Sequence, residues 1–75
     1  MPIIRLSIVE DVFSEAEKGD LMKGFTEVMK QVKGERVASN TWVVIEEIKS
    51  GDWAINGKPI TTEQAKAFSA GRESP

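Results

Sequence analysis

Apolar and polar positions alternate with a period of two from Ile3 to Val9. Ile4, Leu6 and Ile8 fall on one face, with Ile3, Arg5, Ser7 and Val9 on the other. That spacing predicts a strand with both faces at least partly covered. Glu10-Asp11-Val12-Phe13 reads as a connection. Ser14, with Glu17 three residues on, forms a capping box at the start of a helix. Leu21, Met22, Phe25, Val28, Met29 and Val32 then recur at three- and four-residue steps as one unbroken helical stripe. Gly19 and Gly24 weaken this helix by up to about 1 kcal/mol each relative to alanine, and Gly34 is a natural terminator.

Glu35 to Asn40 is polar and reads as connection. Thr41-Trp42-Val43-Val44-Ile45-Glu46-Glu47-Ile48 is rich in β-branched and aromatic residues and predicts a second strand. Strand, helix and strand in that order make a β-α-β unit, so the two strands are expected to be parallel with a right-handed crossover. Ser50-Gly51-Asp52 is a turn, Trp53-Ala54-Ile55 a short extended piece, and Asn56-Gly57 a strong turn dipeptide. Thr61 or Thr62 caps a last short helix through Ala70, ended by Gly71, and Arg72-Glu73-Ser74-Pro75 is expected to fray. The fold class is therefore α/β: a single β-α-β unit with parallel strands and a short C-terminal hairpin and helix. One helix covers only one face of a two-stranded sheet, whereas parallel sheets need both faces buried. The bare face, carrying Ile3, Val9 and one parity of the second strand, is expected to bury itself against another copy, so the chain oligomerises through the sheet.

Size and composition sharpen this picture. A chain of 75 residues makes one small domain that buries roughly 60–65% of the surface exposed by its unfolded form, and such chains usually need disulfides, metals or partners. With no cysteine and no histidine, disulfides, thiol catalysis, zinc fingers and histidine acid–base chemistry are excluded. No metal or cofactor is implied, and oligomerisation remains as the missing support. A net charge of −2 argues against nucleic acid, which needs concentrated positive charge. No apolar run approaches the roughly 20 residues of a membrane span, and the N-terminus lacks the basic region and apolar core of a signal peptide. A soluble, cytoplasmic protein with no membrane partner is expected.

The residue with most chemical potential is Pro2. Methionine removal is favoured before small residues and proline, and it would leave a secondary amine on a rigid ring at the start of a strand. Burial disfavours the charged form of such an amine and lowers its pKa, so it could act as a general base or as a nucleophile towards carbonyls. The plainer alternative is that Pro2 permits clean processing or starts a strand, where its missing N–H costs nothing. If Met1 stays, the Pro2 nitrogen is an amide and no base exists.

The Met-Pro start, the strand from Pro2-Ile3-Ile4 through Ile8-Val9-Glu10, one amphipathic helix, Val43-Val44-Ile45-Glu46-Glu47, and the turn Gly51-Asp52-Trp53-Ala54-Ile55-Asn56-Gly57 together resemble the tautomerase superfamily, specifically its short 4-oxalocrotonate tautomerase-like subunits. No single motif is specific; the ordered combination is. The resemblance covers about residues 2 to 58 and divides the chain into a tautomerase-like β-α-β domain, 1–58, and a C-terminal extension, 59–75. It implies an isomerase whose amino-terminal proline is the general base on an enolisable carbonyl compound. It also implies a homohexamer, built as a trimer of dimers, with an apolar pocket between subunits. Carried across, Pro2 is the catalytic residue, Val9 an apolar wall at the end of the first strand, Trp53 the aromatic of the late turn, and Ile55 follows it.

Relatives acting on dicarboxylates place one arginine after the first strand and another early in the second, since a guanidinium binds a carboxylate bidentately. Here those locations hold Val12 or Phe13, and Trp42. A diacid is therefore expected to be a poor substrate, and a monoacid or an aromatic or apolar keto–enol a better one. Arg5 could reach a shared pocket or form a salt bridge with Glu46 or Glu47. Trp42 and Trp53 could build an aromatic wall or pack at subunit contacts. Glu46 and Glu47 could orient water or simply end an exposed strand, and Lys18, Lys23, Lys30 and Lys33 read as solvated helix-face charges. Two alternatives to the isomerase stay open: a non-catalytic oligomer that keeps the fold, and a proline-dependent hydratase, dehalogenase or decarboxylase.

Overall fold

The computed structural model describes residues 1–71; the terminal Arg72-Glu73-Ser74-Pro75, expected to fray, lies outside the described residues. In order along the chain come β1 (Ile3–Val9), α1 (Glu15–Lys33), α2 (Glu35–Ala38), β2 (Trp42–Ile48), β3 (Trp53–Ile55), β4 (Lys58–Ile60) and α3 (Thr62–Ser69). β1 and β2 form one two-stranded sheet, β3 and β4 another. The Trp42 N–H donates to the Pro2 carbonyl at 2.9 Å, and the Glu10 N–H to the Ile48 carbonyl at 2.8 Å. The partners advance together along both strands, as a parallel ladder requires. The expected β-α-β unit with parallel strands and a C-terminal hairpin and helix is the architecture found.

Two compact units make up the chain: residues 1–6 with 14–46, and residues 7–13 with the segment from Glu47 on. In the first, Ser14 caps α1, its hydroxyl accepting from the Glu17 N–H at 3.1 Å while the Glu17 carboxylate accepts from the Ser14 N–H at 2.8 Å. Lys18, Gly19, Leu21, Phe25, Thr26 and Met29 are the half-buried positions along α1, at helical spacing. Gly34, at φ 93°, terminates α1. The next four residues then resume as α2, where a polar connection was expected. The reason is local: the left-handed glycine ends one helix, and its carbonyl accepts from the Ala38 N–H at 3.1 Å to close a new helical turn. Lys30 bridges to Glu35 at 3.2 Å, and Ala38 is buried.

In the second unit the hairpin pairs Trp53 with Ile60, Ala54 with Pro59 and Ile55 with Lys58. Its two-residue connection is Asn56-Gly57, at φ 52° and 76°, the pair of positive φ values that a type I′ turn demands. Thr61 caps α3 with its own capping box, paired with Gln64. Ile8, Val9 and Ile60 form the buried core here. Val9, expected on the bare sheet face with Ile3, is instead only 8% exposed, whereas Ile3 is 47% exposed. The alternation of β1 ends at its last two residues, where both Ile8 and Val9 are covered. Among the described residues no helix is long and apolar enough to cross a membrane.

Candidate active site

The second unit contains a cavity of about 300 Å³, at the lower end of the roughly 300–1,000 Å³ usual for small-molecule sites. Three elements wall it. The end of β1 and the connection after it supply Ser7, Ile8, Val9, Val12 and Phe13; the hairpin supplies Trp53, Ile55 and Ile60; α3 supplies Ala65, Phe68 and Ser69. Ser7 and Ser69 are the polar residues among the described lining, and no charged side chain is among them. Val12 and Phe13, from the connection after β1, both line this cavity. Such a wall desolvates an apolar or aromatic group favourably and offers a carboxylate no counter-charge.

A node of hydrogen bonds holds the three walls in register. The Glu10 carboxylate accepts from the Ser50 N–H at 2.8 Å. The Glu10 carbonyl accepts from the Thr62 hydroxyl at 2.8 Å, and the Ser50 hydroxyl accepts from the Thr62 N–H at 2.9 Å. The Gly51 N–H donates to the Ile60 carbonyl at 3.1 Å, tying the turn to β4. The Asp11 N–H donates to Glu47 Oε2 at 3.1 Å, which fixes the connection where Asp11 adopts φ 62°. Glu47 thus serves the backbone of the connection, a role the sequence did not suggest.

Of the residues expected at the site, Val9, Trp53 and Ile55 come together in this cavity. Pro2, Arg5 and Trp42 belong to the first unit. There Pro2 is half-buried and precedes β1, its carbonyl held by the Trp42 N–H. Trp42 is 58% exposed, and Arg5 is exposed. Sequence reasoning missed the contribution of α3: Ala65 and Phe68 are three residues apart on one helical face, a weak signal in so short a helix. Among the described residues no three acidic side chains come together to hold a metal ion.

Comparison with known proteins gives the same picture at the level of family. A family described as "Tautomerase enzyme" matches residues 2–63. The probable tautomerase K2 of Dickeya dadantii (strain 3937) is 28% identical over 67 residues, covering 89% of this chain and 98% of that protein. Among solved structures, YwhB, a homologue of 4-oxalocrotonate tautomerase, superposes with a TM-score of 0.68 at 26% identity over 77% of this chain and 92% of its own. TomN, a 4-oxalocrotonate tautomerase homologue in the tomaymycin biosynthetic pathway, gives a TM-score of 0.71 at 22% identity, covering 91% and 95%; DmpI of Helicobacter pylori gives 0.69 at 21%, covering 79% and 95%. These last two are likenesses of fold.

Proposed function

The chain belongs to the tautomerase family, and from that premise we propose that it is a small isomerase using Pro2, freed by loss of Met1, as general base on an enolisable carbonyl compound other than a diacid. The observation that carries the substrate class is the apolar cavity, whose described lining contains no cation. The amine takes the proton from the enol hydroxyl, the enolate electrons move to the α-carbon, and the ammonium returns the proton there, giving the keto form with atoms and charge conserved. Two features support Pro2 as the base. Its ring precedes β1 with the carbonyl pinned by the Trp42 N–H, which fixes the nitrogen's direction. Pro2 is also half-buried, and burial disfavours the charged form of an amine. Val9, Trp53 and Ile55 form the apolar wall, and Arg5 and Trp42 complete the substrate-binding set in this proposal.

A homo-oligomer, a hexamer of three dimers, is part of the same reading, with the pocket completed between copies. The exposure of Ile3, Met22, Val28, Val32 and Trp42 in the single chain supports it: large apolar side chains left in water gain from burial against a partner.

The test begins with an intact mass of the mature protein, followed by ketonisation of phenylenolpyruvate monitored in the ultraviolet. Pro2→Ala is expected to lower kcat/KM by about 10²–10⁴-fold, the usual worth of a positioned general base. Bromopyruvate is expected to alkylate the Pro2 nitrogen. Equal rates for wild type and Pro2→Ala, with no adduct on Pro2, would refute the proposal.

A further inference from the structure

We infer that α3 is the specificity element of this site and that Phe68 is the residue selecting an aromatic ring in the substrate. The inference rests on the reading of the cavity as the small-molecule site, and it goes beyond that reading by assigning a role to a segment the family match barely reaches. The match ends at residue 63, so Ala65, Phe68 and Ser69, which together make one wall of the cavity, all lie past it. Their positions are built. The Thr61–Gln64 capping box fixes the first turn of α3, and Thr62 ties that turn to Glu10 and Ser50 by two bonds of 2.8 and 2.9 Å. A helix seated this way presents residues three and four apart on one face, which places Phe68 and Ser69 one turn beyond Ala65.

Size and exposure assign the roles on that wall. Ala65 and Ser69 are small and leave volume. Phe68 is the large one, and it keeps 52% of its surface exposed while lining the cavity. A half-exposed phenylalanine on a cavity wall has apolar surface still to bury, and its ring face suits offset stacking on a second aromatic ring. Trp53, contributed by β3, supplies another aromatic surface lining the same cavity. A ligand ring entering here removes surface of Phe68 from water, whereas a small aliphatic carbonyl compound gains little from it. The base and the fold are untouched by this choice, so the same scaffold can change substrate through α3 alone.

The test is a ligand-observed NMR titration of the full mature chain with two neutral ketones, acetophenone and butanone, which differ in the ring. Wild type is expected to bind acetophenone at least about tenfold more tightly, since burying even half a phenyl ring against apolar surface is worth that much. Phe68→Ala is expected to lose about tenfold for acetophenone and less than about twofold for butanone. Phe68→Leu, which keeps bulk but not the π-face, falls between them, with circular dichroism verifying that each variant is folded. The inference is overturned if Phe68→Ala binds acetophenone as wild type does, weakens both ketones equally, or if wild type shows no preference for the aromatic ketone. Because the readout is binding, it is independent of Pro2 chemistry. If ketonisation proves independent of Pro2 while selectivity still follows Phe68, the catalytic proposal fails and this one stands.

Discussion

Ile60→Ala tests whether the cavity's floor is also the core of its unit. Ile60 is 6% exposed and packs where Ile8 and Val9 are buried, at 7% and 8%. Truncation to alanine removes three carbons, and at about 0.8 kcal/mol per buried methylene the transfer loss is about 2.4 kcal/mol. Had the site been sealed, a residual void would add about 24 cal/mol per Å³. Ile60 instead lines a cavity of about 300 Å³ that is already open, so truncation enlarges an open space rather than creating a sealed void, and the void contribution is small. Ile55, on the partner strand of the same hairpin, is 46% exposed. Its truncation is expected to cost about half as much, roughly 1.3 kcal/mol on the same scale. Strand propensity cancels in the comparison, because both residues sit in paired strands. For a chain of this size total stability is about 4–11 kcal/mol, so both variants are expected to fold. With a urea m-value of about 1 kcal/mol/M, the midpoint should fall by about 2.4 M for Ile60→Ala and about 1.3 M for Ile55→Ala. Measurements at one fixed protomer concentration are needed, since association adds to apparent stability. Equal shifts for the two variants, or a shift under about 1 M for Ile60→Ala, would refute the placement of the core.

Ser14→Ala removes the hydroxyl that accepts from the Glu17 N–H and should destabilise the protein by about 1 kcal/mol, read as a lower urea midpoint; no change would mean the capping box contributes nothing. Gly24→Ala should instead stabilise by up to about 1 kcal/mol, because an added Cβ there meets nothing within 4 Å; a loss of stability or of oligomer by light scattering would show that this face is occupied. The Lys30 ammonium is held above its ordinary value of 10.5 by its hydrogen bond to Glu35, then by the charges of Glu35 and Glu27. A raised amine pKa contributes stability that is complete below the ordinary value and is lost as pH rises through the raised one. The melting temperature should therefore fall more steeply over about pH 9–12 in wild type than in Glu35→Gln, and parallel curves would refute the coupling. Gly57→Ala at φ 76° should cost about 1 kcal/mol by forcing a Cβ into the left-handed region, and a neutral effect would argue against the turn.

The local elements were legible because their signals are local. Alternation from Ile3 outward, the Ser14 box, Gly34, the β-branched run of β2, Asn56-Gly57 and a threonine cap each specify their own stretch of backbone within a few residues. The structure places β1, α1, β2, the hairpin turn and α3 where those signals point. Short helix α2 was missed, since a left-handed Gly34 that stops one helix and starts another looks in sequence like a plain terminator.

Family membership, the parallel β-α-β order and the absence of an arginine at Val12, Phe13 or Trp42 follow from the order of residues alone. The burial of Val9, the enclosure of the cavity by α3 and the node joining Glu10, Ser50 and Thr62 do not. Their contacts link residues 40 and 52 positions apart, and side-chain chemistry at such separation carries no periodic trace. Glu10 reads as one more polar loop residue until the fold brings the Ser50 N–H and the Thr62 hydroxyl to it. What the chain's pattern determined was which segments could be strands and helices; what only the tertiary structure decided was which of their faces meet, because burial belongs to pairs of surfaces and not to either one.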